Sequence, residues 1–186
     1  MNEIDIQHLL TQDIHIDEIL QIVRDLRLKD SWLCAGTIRN YIWNIQSGRA
    51  GFDGTTDIDV VFYDPEISYE ATLALEQTLC AKHPQYQWEL KNQVYMHVHS
   101  PDTSPYTDSR DAISKYPERC TAVGMRLNDY NQVEFFCPYG WESILSMEIH
   151  PTPHFLENPK RMAVYQARLQ KKNWKAKWEK LKIFWE

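Results

Sequence analysis

Apolar residues recur along this chain at two periods. Residues 3–28 place Ile16, Leu20, Val23 and Leu26 at helical spacing, with Asp17 and Glu18 early and Arg24, Arg27 and Lys29 late. That charge order suits a helix dipole and predicts a packing helix. Ser31–Ala35 is a short apolar run ending at Gly36, after which Ile38, Tyr41, Ile42 and Ile45 resume the helical spacing until Ser47-Gly48 stops it. Asp57–Phe62 is rich in β-branched residues and predicts a buried strand, closed by Tyr63-Asp64-Pro65. A helix is predicted from Tyr69 to about Ala81, and strands over Tyr86–Lys91 and Val94–His99. Thr121–Leu127 and Gln132–Cys137 read as two more strands around the turn Asn128–Asn131. One or two helical turns are expected at Asp111–Tyr116, a short helix at Trp141–Met147, and an extended linker at Pro151–Pro153. One long helix is expected from Pro159 to about Phe184.

The predicted strand Asp57–Phe62 breaks the pattern. Alternate strand residues share a face, so Ile58, Val60 and Phe62 point one way and Asp57 and Asp59 project together the other way. Adjacent carboxylates repel, and burial without a partner is costly. A divalent cation would relieve both effects. Mg²⁺ suits the pair because it takes one or two protein carboxylates and completes its shell with water and substrate phosphates. A third carboxylate, Glu134, stands among apolar residues in Val133–Phe136. If its strand lies beside that of the aspartates, the three form one metal-binding cluster.

Gly36-Thr37 falls at the expected strand-to-helix junction, with Arg39 and Asn40 in the first turn. Free N–H groups at a helix N-terminus form an anion site, and glycine lets a phosphate approach closely. Arg39 adds a planar fork. Tyr95, His97 and His99 share one face of a predicted strand; Tyr95 and His97, with Tyr106 from the following turn-rich loop, are candidates for the wall of an acceptor pocket.

Composition narrows the class. The 186 residues predict a single domain: N-terminal helices over 1–30, a sheet core with the site over 31–150, and a linker and basic C-terminal helix over 151–186. No apolar stretch approaches the roughly 20 residues that span a bilayer. The acidic Met1–Asp5 start does not resemble a signal peptide. Four widely spaced cysteines fit reduced thiols in a cytoplasmic protein. From Pro159 onward nine Lys or Arg face two Glu, a net of +7, which leaves −13 on residues 1–158. An acidic body does not favour nucleic-acid binding over the whole surface, and the basic tail alone would touch phosphates or pack on that body.

Several ordered segments carry a family resemblance: Ala35-Gly36-Thr37-Ile38-Arg39-Asn40 with Trp43, Asp57-Ile58-Asp59-Val60-Val61, and Asn92-Gln93-x-x-Met96-His97. Thr121-Ala122-Val123, Cys137-Pro138-Tyr139-Gly140, Pro151-Thr152-Pro153 and the stretch from Arg161 to Lys172-x-Trp174-x-x-x-Trp178 belong to the same set. Together they resemble a bacterial family of nucleotidyltransferase-like proteins of unassigned substrate, within the DNA polymerase β-like nucleotidyltransferase superfamily. The resemblance implies an α+β (α/β mixed) fold, a mixed sheet backed by helices with further helices at both ends. It implies Asp57, Asp59 and Glu134 as catalytic and metal-binding carboxylates for Mg²⁺ or Mn²⁺, and Gly36, Thr37, Arg39 and Asn40 as the nucleotide-phosphate site. Superfamily members usually carry Gly-Ser or Gly-Gly at that turn, where this chain has Gly36-Thr37.

The activity so implied is transfer of a nucleoside monophosphate from an NTP to the hydroxyl of an unknown small-molecule, protein or RNA acceptor. Two alternatives share the sequence: a non-catalytic nucleotide-binding or regulatory module, and an RNA- or partner-binding protein acting through the basic C-terminal helix.

Overall fold

The computed structural model describes all residues, 1–186. The N-terminal helical stretch is two helices, α1 (Glu3–Gln12) and α2 (Ile14–Asp25). Asp13 breaks it: its carboxylate accepts from the N–H groups of His15 and Ile16, at 2.9 and 3.1 Å, and caps α2. Next come β1 (Trp32–Cys34), α3 (Gly36–Gln46), β2 (Asp57–Phe62), α4 (Tyr69–Lys82) and β3 (Gln87–Asn92). The chain continues through α5 (Ser109–Ser114), β4 (Gly124–Leu127), β5 (Val133–Phe136), α6 (Glu142–Leu145) and β6 (Glu148–Ile149). It closes with α7 (Pro153–Leu156), α8 (Pro159–Lys171), α9 (Trp174–Lys177) and β7 (Lys182–Ile183).

Five strands form one mixed sheet in the order β3-β2-β1-β4-β5. Only β2 and β3 run parallel; α4 makes the crossover between them. One sheet face is apolar. Leu33, Ile58, Val60, Phe62, Trp88, Leu90 and Met125 join Ile16, Leu20 and Val23 of α2, Ile38 and Ile42 of α3, and Leu79 of α4 in one core. The period-two pattern of β2 is therefore realised, with the apolar triplet inward. The other face bears a smaller apolar cluster around Trp32, Cys34, Val61 and Ile113, and is polar towards β3. No helix is long and apolar enough to cross a membrane.

Two expected elements differ. Residues 93–99 form a 3₁₀ helix, Gln93–His99, and not a strand. Asn92 redirects the chain: its side-chain oxygen accepts from Val94 N–H, while its amide donates to the carbonyls of Asp64 and Ile67 at 2.8 and 3.1 Å. Tyr95, His97 and His99 therefore do not share a strand face. The long C-terminal helix ends at Lys171. The two tryptophans beyond it dock on neighbouring groups of α3, since the Arg39 guanidinium itself lies over Trp43 at 5.0 Å. Trp178 meets Trp43 edge-on at 5.3 Å and donates its indole N–H to Asn44 at 3.0 Å, whereas Trp174 covers the Arg39 guanidinium at 4.6 Å. The break falls at Lys172–Asn173, before both, and one further helical turn, α9, carries Trp174 and Trp178 into these contacts, with Trp178 N–H donating to Trp174 O at 2.9 Å. Thr152 in the expected linker is fully buried, its hydroxyl donating to Tyr116 O at 2.7 Å.

Candidate active site

The site is built around the sharp turn from β1 into α3. Ala35 adopts φ 55°, ψ −120°, a conformation L residues rarely take. Such a residue costs of order 1–3 kcal/mol and persists where its surroundings over-determine it. Here Ala35 N–H donates to Val123 O at 3.0 Å and its carbonyl accepts from Arg39 N–H at 3.1 Å. The next residue must be small. A Cβ on Gly36 would lie 3.2 Å from Asp59 Oδ2, and Gly36 N–H donates to that oxygen at 3.1 Å. The glycine thus lets a helix N-terminus approach a carboxylate.

Thr37 rivets α3 to β2 from below. Its hydroxyl donates to Asp57 O at 3.0 Å and accepts from Asp59 N–H at 3.2 Å. That hydroxyl is buried and committed, so it is not free for the phosphate role expected of it. Arg39 is similarly committed. Its fork donates to Asn40 Oδ1 through Nε (3.2 Å) and Nη2 (2.9 Å), and to Thr121 through Nη1 at 2.6 Å. Trp43 and Trp174 sandwich it at 5.0 and 4.6 Å. Burial lowers its pKa, opposed by the neighbouring Cys120 and Glu118. Arg39 and Asn40 form one wall of the site and order the turn.

Asp57 is exposed and Asp59 half-buried, on one face of β2 as the alternation requires. Their third companion is not Glu134. The register runs from Asp59 through Cys34 of β1 and Gly124 of β4 to Phe136 of β5. Glu134 shares the sheet face but lies three strand spacings away, about 14 Å laterally. There it accepts from Arg126 Nε at 2.8 Å, and this hydrogen bond holds its carboxyl below the usual range. The carboxylate beside Asp59 is Glu89, its direct partner on parallel β3. Desolvation first, then the Glu89 charge, pushes Asp59 up to about 6, against the Gly36 N–H and Arg39.

The three carboxylates open onto a cleft of about 670 Å³. Cations line the same cleft: Arg168, Lys171 and Lys172 of the C-terminal segment, with Val164 and Trp174, and Lys91 and Lys115. Of the expected acceptor-wall residues, Tyr106 lines the cleft. Tyr95 does not; it donates to Ile67 O at 3.0 Å. Nor does His97, whose ring meets Tyr106 edge-on at 6.2 Å. Glu89 escaped the sequence pattern because Trp88-Glu89-Leu90-Lys91 reads as an ordinary half-buried strand; only the parallel register makes it the neighbour of Asp59.

No group of three or more His, Cys, Asp or Glu side chains converges as a preformed metal cage. The donor set of Asp57 and Asp59, with Glu89 alongside, nevertheless fits Mg²⁺ or Mn²⁺. Such ions accept one or two carboxylates and take their remaining oxygens from water and phosphate. It does not fit a structural zinc site, which needs four closed ligands rich in nitrogen or sulfur.

A sequence model of a family described as nucleotidyltransferase matches residues 21–183. A solution structure described as revealing a CCA-adding enzyme head domain is 58% identical, superposes with a TM-score of 0.93, and is covered over 98% of this chain and 96% of that one. An apo tRNA-processing enzyme aligns at 13% identity and a TM-score of 0.50, over 97% of this chain and 44% of that one, and shares the fold. No curated protein matches.

Proposed function

The chain belongs to the nucleotidyltransferase family matched over residues 21–183, and from that premise we propose that it transfers a nucleoside monophosphate from an NTP to an acceptor hydroxyl, using a divalent cation held by Asp57 and Asp59. One observation carries this reading. Asp57, Asp59 and Glu89 stand together without a bonded basic side chain and line one cleft with Arg168, Lys171 and Lys172. A cation–triphosphate complex has that same division of charge.

The bound cation would supply Lewis acidity at the transferring phosphoryl group and lower the pKa of the acceptor hydroxyl. The protein residues do the rest. Gly36 N–H donates to Asp59 Oδ2, and the Thr37 hydroxyl bridges Asp57 O and Asp59 N–H, so the carboxylates are presented on a rigid strand. The basic wall neutralises the triphosphate. The acceptor oxygen bonds to the α-phosphorus as the bond to the β-phosphate bridge breaks. Pyrophosphate leaves, and the hydroxyl proton passes to Glu89, one strand from Asp59. The relative described as a CCA-adding enzyme head domain makes an RNA 3′-terminal hydroxyl the first acceptor to test.

The test is incubation of the full chain with Mg²⁺ and each of the four labelled NTPs, with and without RNA bearing a free 3′ hydroxyl. Label transfer with stoichiometric pyrophosphate release is the expected result. Tight NTP binding without release would leave a non-catalytic nucleotide-binding module. Neither binding nor release would overturn the reading.

A further inference from the structure

The cations around the cleft are not equivalent. Each of Arg39's three guanidinium nitrogens already donates to Asn40 or Thr121. Lys115 is paired with Asp111 at 2.7 Å and Lys91 with Glu76 at 3.4 Å. Lys171 and Lys172 are unpaired but exposed on the end of α8, where their long side chains keep their rotamer freedom. Arg168 differs from all of these. Its Nε donates to Glu118 Oε1 at 2.6 Å, and its two terminal nitrogens have no protein acceptor. Val164, Arg168, Lys171 and Lys172 are spaced i, i+4, i+7 and i+8, so α8 turns one face to the cleft, with Arg168 at its centre.

Glu118 explains how that arginine is held. It is fully buried, and its other carboxylate oxygen has no partner. Its backbone is tied down on both sides: its carbonyl accepts from Thr121 and Ala122, and the following Arg119 N–H donates to His150 O at 2.9 Å. A buried carboxylate with one bonded cation is a rigid anchor. Trp174 covers the guanidinium from 5.8 Å. A planar fork fixed at Nε, with Nη1 and Nη2 unoccupied, matches the bidentate geometry of phosphate recognition.

Building on the nucleotidyltransferase reading above, we propose that Arg168 grips the terminal phosphates of the incoming nucleoside triphosphate, and that Glu118 is the positioning residue that aims it. The C-terminal helix is then part of the substrate site. The experiment is isothermal titration of Mg-ATP and of AMP into the full chain and three variants. Removing Arg168 alone strands a buried carboxylate, so the variants are Arg168→Lys, Glu118→Gln and the double Glu118→Gln/Arg168→Gln.

Wild type should prefer ATP over AMP. Arg168→Lys should weaken ATP about tenfold or more, the loss of a charge-assisted hydrogen bond, with AMP affinity unchanged. Glu118→Gln should weaken ATP by a smaller factor, again sparing AMP. The double variant, which removes the cation altogether, should lose at least as much ATP affinity as Arg168→Lys, again sparing AMP. An unchanged ATP-to-AMP ratio in Arg168→Lys and the double variant would overturn this proposal alone. Parallel losses for ATP and AMP would also overturn it, assigning the pair a purely structural role. A wild type with no affinity for Mg-ATP would overturn the nucleotidyltransferase reading along with it.

Discussion

Two ends of one sheet face carry the same chemistry and treat it in opposite ways. At the β4–β5 end, Glu134 lies in register with Arg126, accepts its Nε–H at 2.8 Å, and is held acidic. Arg126 in turn lies over Trp32 at 4.2 Å. At the β2–β3 end, Asp59 lies in register with Glu89, another acid, and burial with that neighbour raises it to about 6. A protein can neutralise a strand carboxylate by placing a cation opposite it. Where it places a second carboxylate there, the site is under-compensated and the missing charge must come from outside. One sheet face thus holds a bonded ion pair at one end and an under-compensated pair of acids at the other.

The contrast is open to attack from several sides. The largest effect is expected at Asp59: Asp59→Asn should reduce NTP-dependent pyrophosphate release by about a hundredfold or more, because the proposed cation site would lose a ligand. Activity within a few-fold of wild type would remove Asp59 from the machinery. Glu89→Gln should follow, with a loss of about ten- to a hundredfold in turnover. If Glu134→Gln proved the more damaging variant under the same assay, the assignment of the third carboxylate would be reversed.

A stability measurement sharpens the same contrast without substrate. Asp59 titrates near 6 when folded, and near 4 when unfolded. Between those values the folded protein binds the extra proton, so stability falls as pH rises from about 4 to 6 and the deficit persists above. In EDTA, Asp59→Asn should therefore be more stable than wild type by about 1–2 kcal/mol at pH 7, with little difference at pH 4. Urea denaturation at both pH values checks this. An equal difference at both would show that Asp59 ionisation does not govern stability. The smallest effect is expected at the far end. Glu134 and Arg126 are partly exposed, so Glu134→Gln should cost less than about 1 kcal/mol and leave turnover within about twofold.

Much of this architecture is legible from periodicity. The apolar triplet Ile58, Val60 and Phe62 and the helical repeat Ile38, Tyr41 and Ile42 specify local structure directly. The strand-to-helix turn at Gly36 follows from where one period gives way to the other. The 3₁₀ segment at Gln93–His99 was not legible, because His97 and His99 alternate as a strand would. What decides it is the hydrogen bonding of Asn92 to a distant loop. The break after Lys171 was equally hidden, since Trp174 and Trp178 fit a helical stripe and do sit on one helical turn beyond it.

Local periodicity alone places Asp57 and Asp59 on one strand face and a glycine at the start of the helix beside them. Both properties depend only on backbone geometry within a few residues. Which acid joins them, and which arginine shares their cleft, depends on how distant strands and helices pair. Strand order and register are properties of long-range pairing: they bring Glu89 next to Asp59, send Glu134 to Arg126, and fold α8 so that Glu118 holds Arg168 over the cleft. A charge tells a reader that a partner is needed; which partner arrives depends on how the whole chain closes.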